Sequence, residues 1–135
     1  MTTILLPELD AKRARQAEQQ ELVNRLAERH GDELAIRAVR FFAESENKPY
    51  SRRSLILDAT SPHQYAGYWD GGEWVLATVT QDLRSKGGTQ AKAGDRVLAR
   101  RGSRFAGTGD YGTFYSVRLG WNCSIGGGVT FPKSV

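Results

Sequence analysis

The sequence predicts an α+β fold: two N-terminal helices packed on a small antiparallel β-sheet or partly open barrel. Three observations carry that expectation. Residues 8–48 are built largely from good helix formers, with apolar residues returning at helical spacing. From residue 54 onward, short β-branched and aromatic runs alternate with turns rich in Gly and Asp. The chain has 135 residues and is 39% hydrophobic, which suits one domain over 1–135 with a shared core, helical over 1–48 and β-rich over 54–135.

The first helix is expected over residues 8–30. Pro7 suits the first helical position, and Glu8 and Asp10 favour the positive end of the helix. Asp10–Glu21 is almost wholly polar, with Ala11, Ala14 and Ala17 as small spacers. This arm has little apolar surface to bury. It is read as a solvated extension or as a docking face for a partner, with Arg13 and Arg15 as its candidate contacts; the competing possibility is that it lies along the β half and covers a sheet edge. Leu22, Val23, Leu26 and Ala27 supply apolar surface further on, and His30-Gly31 marks the helix end.

Asp32 and Glu33 open the second helix by accepting from, and complementing, its free N–H groups. Leu34, Ala35, Ala38, Val39, Phe41 and Phe42 form a broad apolar face, and Phe41 and Phe42 are expected to press on the sheet. Pro49 ends the helix, because its ring disfavours the α conformation at Lys48.

In the β half, Leu55-Ile56-Leu57 is one candidate strand. Tyr65–Trp69 and Glu73–Gln81 flank Asp70-Gly71-Gly72 in a hairpin pattern. Asp82–Gly94 is polar and Gly-containing and is read as a flexible loop, followed by a strand over Arg96–Arg100. Tyr111–Trp121 and Cys123–Phe131 supply further strands, interrupted at Gly126-Gly127-Gly128.

Charge is unevenly placed. Residues 1–50 carry eight Lys/Arg against nine Asp/Glu, while residues 51–135 carry eleven against six. The excess concentrates at Arg84, Lys86, Lys92, Arg96, Arg100, Arg101 and Arg104, with Asp95 as the one anion among them. Such a segment either attracts phosphate or an acidic protein face, or keeps an exposed surface soluble. No run approaches the length of a membrane span, the N-terminus does not read as a secretory signal, and the single Cys123 makes no internal disulfide. A cytoplasmic location follows as the expectation.

Trp69-Asp70-Gly71-Gly72-Glu73-Trp74-Val75-Leu76-Ala77-Thr78-Val79 resembles the first hairpin of Tudor-type, SH3-like barrels, and Ala93-Gly94-Asp95-Arg96-Val97-Leu98-Ala99 resembles a strand entry of small barrels. This sequence has an extra Gly in the turn, and its Gly-Asp entry follows the hairpin instead of preceding it. The resemblance implies a non-catalytic module binding methylated peptide or nucleic acid, with Trp69 and Trp74 as aromatic contacts; the same two residues also suit a packed cross-strand pair. Trp121 and Tyr115 face the same choice.

Catalytic patterns are sparse. His30 and His63 have no partner at metal-ligand spacing, and Cys123 beside Trp121 reads as a small buried hydrophobe more readily than as a nucleophile paired with His63. Gly107-Thr108-Gly109-Asp110-Tyr111-Gly112 lacks the strand–turn–helix context of a nucleotide loop. No cofactor and no metal are expected. A small ribonuclease is the surviving enzymatic alternative, with Arg100, Arg101, Arg104 and Tyr111 around a phosphate.

The leading expectation is therefore a non-catalytic binding protein whose target is a protein of a nucleic-acid-handling complex. In size and style the chain resembles small accessory or inhibitory proteins of phages and plasmids, anti-CRISPR proteins among them. The alternative target is nucleic acid itself, held through Arg84–Arg104. The partner-binding candidates are Arg13, Arg15, Trp69, Trp74, Arg84, Lys86, Arg100, Arg101, Arg104 and Tyr111.

Overall fold

A computed structural model describes residues 6–46, 74–101 and 112–132. Two helices, α1 (Leu6–His30) and α2 (Asp32–Glu46), meet at Gly31. Gly31 has φ +94°, a left-handed conformation that lets the chain leave one helix and enter the next within a single residue. Seven strands follow: β1 (Val75–Val79), β2 (Leu83–Ser85), β3 (Gly88–Ala91), β4 (Arg96–Arg101), β5 (Gly112–Ser116), β6 (Trp121–Ile125) and β7 (Val129–Thr130). Five form one antiparallel sheet in the order β6-β5-β4-β1-β7, curled into a half-barrel, and the helices pack against it. The α+β expectation holds.

The curl gives the sheet two buried sides, so strand alternation sorts residues between two cores instead of between core and water. Ala77, Val79, Val97, Ala99, Phe114, Cys123, Ile125 and Val129 fill the interior of the half-barrel. The intervening Leu76, Leu98 and Tyr115 point to the helices and meet Val23, Ala27, Ala35, Val39 and Ala43. The register fixes this sorting, with Leu76 opposite Leu98 and Val75 opposite Ala99. Each fully buried Leu or Val contributes at most about 1.5–3 kcal/mol. Among the described residues no helix is long and apolar enough to cross a membrane.

Four expectations need correction. Residues 82–94 contain a paired hairpin, β2–β3, with Lys86-Gly87 as its two-residue turn. Its polarity hid it: only Leu83 and Ala91 reach the half-barrel interior, while Arg84, Ser85 and Lys86 stay exposed. The strand expected over 111–121 is broken at 117–120, where Ser116 Oγ accepts from Leu119 N at 3.1 Å and Gly120 N donates to Ser116 O at 2.7 Å. Phe41 does not press on the sheet. It is 65% exposed, because Ala35, Val39 and Ala43 occupy the inward stripe and a residue two positions from Val39 lies roughly 200° around the helix. Phe42, at the edge of that stripe, does pack on the core. Finally, the polar arm is not without buried surface: Gln16 and Gln20 are each only 1% exposed. The Leu55-Ile56-Leu57 strand and the Tyr65–Trp69 half of the expected hairpin lie outside the described residues.

Candidate functional site

The arm is seated by a polar network centred on Asp95, in the turn between β3 and β4. Asp95 and Arg118 are nearly inaccessible, 2% and 7% exposed. Arg118 grips the carboxylate with two bonds, Nε to Oδ2 at 2.7 Å and Nη2 to Oδ1 at 2.9 Å. The Lys92 backbone N–H donates to Oδ2 at 2.8 Å and Asn24 Nδ2 donates to Oδ1 at 3.1 Å. Burial pushes the Asp95 carboxyl up, but these donors and the Arg118 charge outweigh it and hold the group below its usual range.

Asn24 carries the network into α1. Its Oδ1 accepts from Arg96 N at 2.8 Å and from Gln20 Nε2 at 2.9 Å, and Gln20 Nε2 also reaches Arg96 O at 2.7 Å. Arg96 further donates to Asp32 Oδ1 at 3.2 Å, tying the start of α2 to the same place. Gln16, Gln20, Val23 and Ala27 thus form one buried line at i, i+4, i+7 and i+11. A hydropathy reading sees only its second half.

About 16 Å back along α1 from Asn24, at 1.5 Å per residue, Arg13 reaches the start of β6. Its guanidinium lies over the Trp121 ring, 5.5 Å from the centroid. Arg13 Nη1 also donates to the buried Gln16 Oε1, which orients the guanidinium. On another side the ring meets the β2–β3 turn. A Cβ at Gly87 would sit 2.8 Å from Trp121 Cζ2, so only glycine permits this approach. Trp121 remains 45% exposed. Lys86 precedes Gly87, and Arg84 is exposed on β2. One helix, one strand and one hairpin therefore converge on a tryptophan that carries Arg13 over its ring and meets the Lys86-Gly87 turn.

Of the residues expected to contact a partner, Arg13 lies over this ring, Lys86 is in the turn that meets it, and Arg84 is exposed on β2 of the same hairpin. Arg15 is exposed, but two residues from Arg13 it lies roughly 200° around α1. Trp74 is half-buried and packs with the helix–sheet core. Arg100 is half-buried and already engaged within the chain. Arg101 ends β4 opposite Gly112, with its side chain outside the described set. Trp69, Arg104 and Tyr111 lie outside the described residues, as does His63. The basic run therefore does not act as one patch: Arg96 serves Asp32, while Arg84 and Lys86 stand exposed on the β2–β3 hairpin.

Chemically this face can bind; it presents cations and an aromatic ring. Cys123 lies behind it in the half-barrel interior, where burial pushes the thiol up to about 11, against a smaller opposing effect of the Gln90 side chain. Such a thiol stays protonated and unreactive at neutral pH. Among the described residues no three His, Cys, Asp or Glu side chains gather as a metal site. Sequence reasoning missed Arg118, Gly87 and the buried glutamines. Arg118 gave no local signal, since its partner is 23 residues away. Compared with protein-family models, curated proteins and solved structures, the chain matches none of them.

Proposed function

We propose that the chain is a non-catalytic binding protein whose Arg13–Trp121–Lys86 face docks on an acidic surface of a partner protein, one belonging to a nucleic-acid-handling complex. One observation carries the reading: an exposed tryptophan held rigidly between an arginine and a lysine-bearing turn. Trp and Arg are the residues that dominate binding energy at protein interfaces, above all where their rotamers are fixed before contact. The phosphate-mimicking character of an acidic face suits the same cations, in keeping with an accessory or inhibitory role beside nucleic acid.

A second reading, direct binding of a nucleic-acid strand, is favoured by the same stacked cation–tryptophan arrangement, since base stacking on an aromatic contributes about 1–3 kcal/mol per base. Its weakness is the count of cations. Arg13, Arg84 and Lys86 would release few counterions, giving a log–log salt slope of only about −2 for a single strand.

Affinity capture from the native cell, with and without nuclease, separates the readings. A partner retained after nuclease and lost with Trp121→Ala supports protein docking. Retention only while nucleic acid is intact supports the second reading. Capture unchanged by Trp121→Ala removes this face from either.

A further inference from the structure

The outer side of α2 carries two exposed apolar residues, Leu34 and Phe41, with Ala38 between them at the border of the stripe that faces the sheet. Leu34, Ala38, Phe41 and Ser45 recur at i, i+4, i+7 and i+11, the spacing of a helix–helix contact line. Leu34 is 41% and Phe41 65% exposed. Phe41 is not a loose side chain. Its ring meets the half-buried Phe42 edge to face, with centroids 5.9 Å apart and planes at 70°. The core thus steadies an aromatic ring that faces away from it.

We infer that this seam pairs two copies of the chain through antiparallel α2 helices. The charges beside it select both the occupant and the direction. Arg37 and Glu44 border the seam on one flank, and both are exposed. The other flank is formed by the buried Ala35 and the half-buried Phe42. In the antiparallel register that sets Ala38 against Phe41 of the second copy, Leu34 falls against its Ser45. Arg37 then lies two residues, about 3 Å of axial rise, from Glu44 of the second copy, and symmetry repeats the pair. The small Ala38 leaves room for the Phe41 ring. A parallel pair would instead set each charged flank beside the Ala35–Phe42 side, so that Arg37 keeps its own Glu33 and gains no Glu44 from the second copy. The bond Arg37 now makes to Glu33, at 3.0 Å, is fully at the surface and is readily exchanged. A contact line this short belongs to the weak, transient class of interfaces.

Sedimentation equilibrium over roughly 1 μM to 1 mM, the range a weak contact spans, tests the pairing. The expected result is a mass rising from 15.0 kDa towards twice that value. Phe41→Glu should hold the protein at the monomer mass. Arg37→Glu and Glu44→Arg should each weaken pairing at least tenfold, and the double variant carrying both should recover most of the loss. Recovery in the double variant also shows that the single changes acted through the pair and not through the fold. A monomer throughout the range, a dimer indifferent to Phe41→Glu, or a double variant no better than the singles would overturn the inference.

Discussion

Arg118→Ala is the sharpest perturbation of the element that seats α1 on the sheet. Removing the guanidinium takes away two charge-assisted bonds and the only cation that the described residues place on the buried Asp95 carboxylate. The Lys92 N–H and the Asn24 amide remain, so the anion is hydrogen-bonded but uncompensated. Breaking one partner of a buried pair costs about 3–5 kcal/mol. For a domain of this size that lowers the melting temperature by roughly 10 °C or more. The pH dependence gives a second, independent signature. In the parent protein the folded Asp95 titrates below its ordinary value of 3.8, so its contribution is present above that value and is lost as pH falls through the folded value. Without Arg118, two of the effects that lower the carboxyl are gone while burial still raises it, so its folded value moves up and the deficit shrinks on acidification. Urea denaturation at pH 7 and near pH 4 measures both effects. The expected result is a large deficit at pH 7 that narrows at the lower pH. A deficit under about 1 kcal/mol at pH 7, or one that does not change with pH, would refute the reasoning that this pair is buried and stabilising.

Three further outcomes follow from the same structure. Gly87→Ala should displace the Trp121 ring, since its Cβ would lie 2.8 Å from Cζ2; a shifted indole fluorescence with about 1–3 kcal/mol lost stability checks it. Cys123 should react with a thiol reagent at neutral pH only when the protein is unfolded, as followed by colour release in native buffer and in denaturant. Because its thiol is raised from 9.0 to about 11, its contribution to stability is complete below pH 9 and is lost as pH climbs towards 11, which alkaline denaturation curves would register.

The parts legible in the sequence are those governed by local chemistry. His30-Gly31-Asp32 marked both helix boundaries, because a left-handed glycine and an acidic helix start are local requirements. The strands β1 and β4 were visible as alternation, even though both faces proved buried. What escaped depends on distance along the chain. Gln20 reads as solvated until Arg96 and Asn24 supply its partners, and Gln16 until the fold buries it beside Arg13. Phe41 reads as core by composition, and only the competition among Ala35, Val39 and Ala43 for the inward stripe turns it out. The β2–β3 hairpin is too polar to announce itself, and its Gly87 makes sense only once Trp121 lies against it. For the candidate site, Arg13 and the Lys86-Gly87 turn read as contacts of two distant segments, and Trp121 reads equally as contact or packing until the fold sets it against both.

The docking of α1 on the β half is the claim on which the Trp121 face depends. Amide hydrogen exchange on the free protein, followed across residues 13–24, tests it most directly. The account predicts protection there comparable to β4 and β5, because Gln20 and Asn24 tie this part of the helix to the sheet and its turns and Gln16 is buried with them. Exchange through Arg13–Asn24 as fast as in an isolated polar helix, with β4 and β5 still protected, would contradict it.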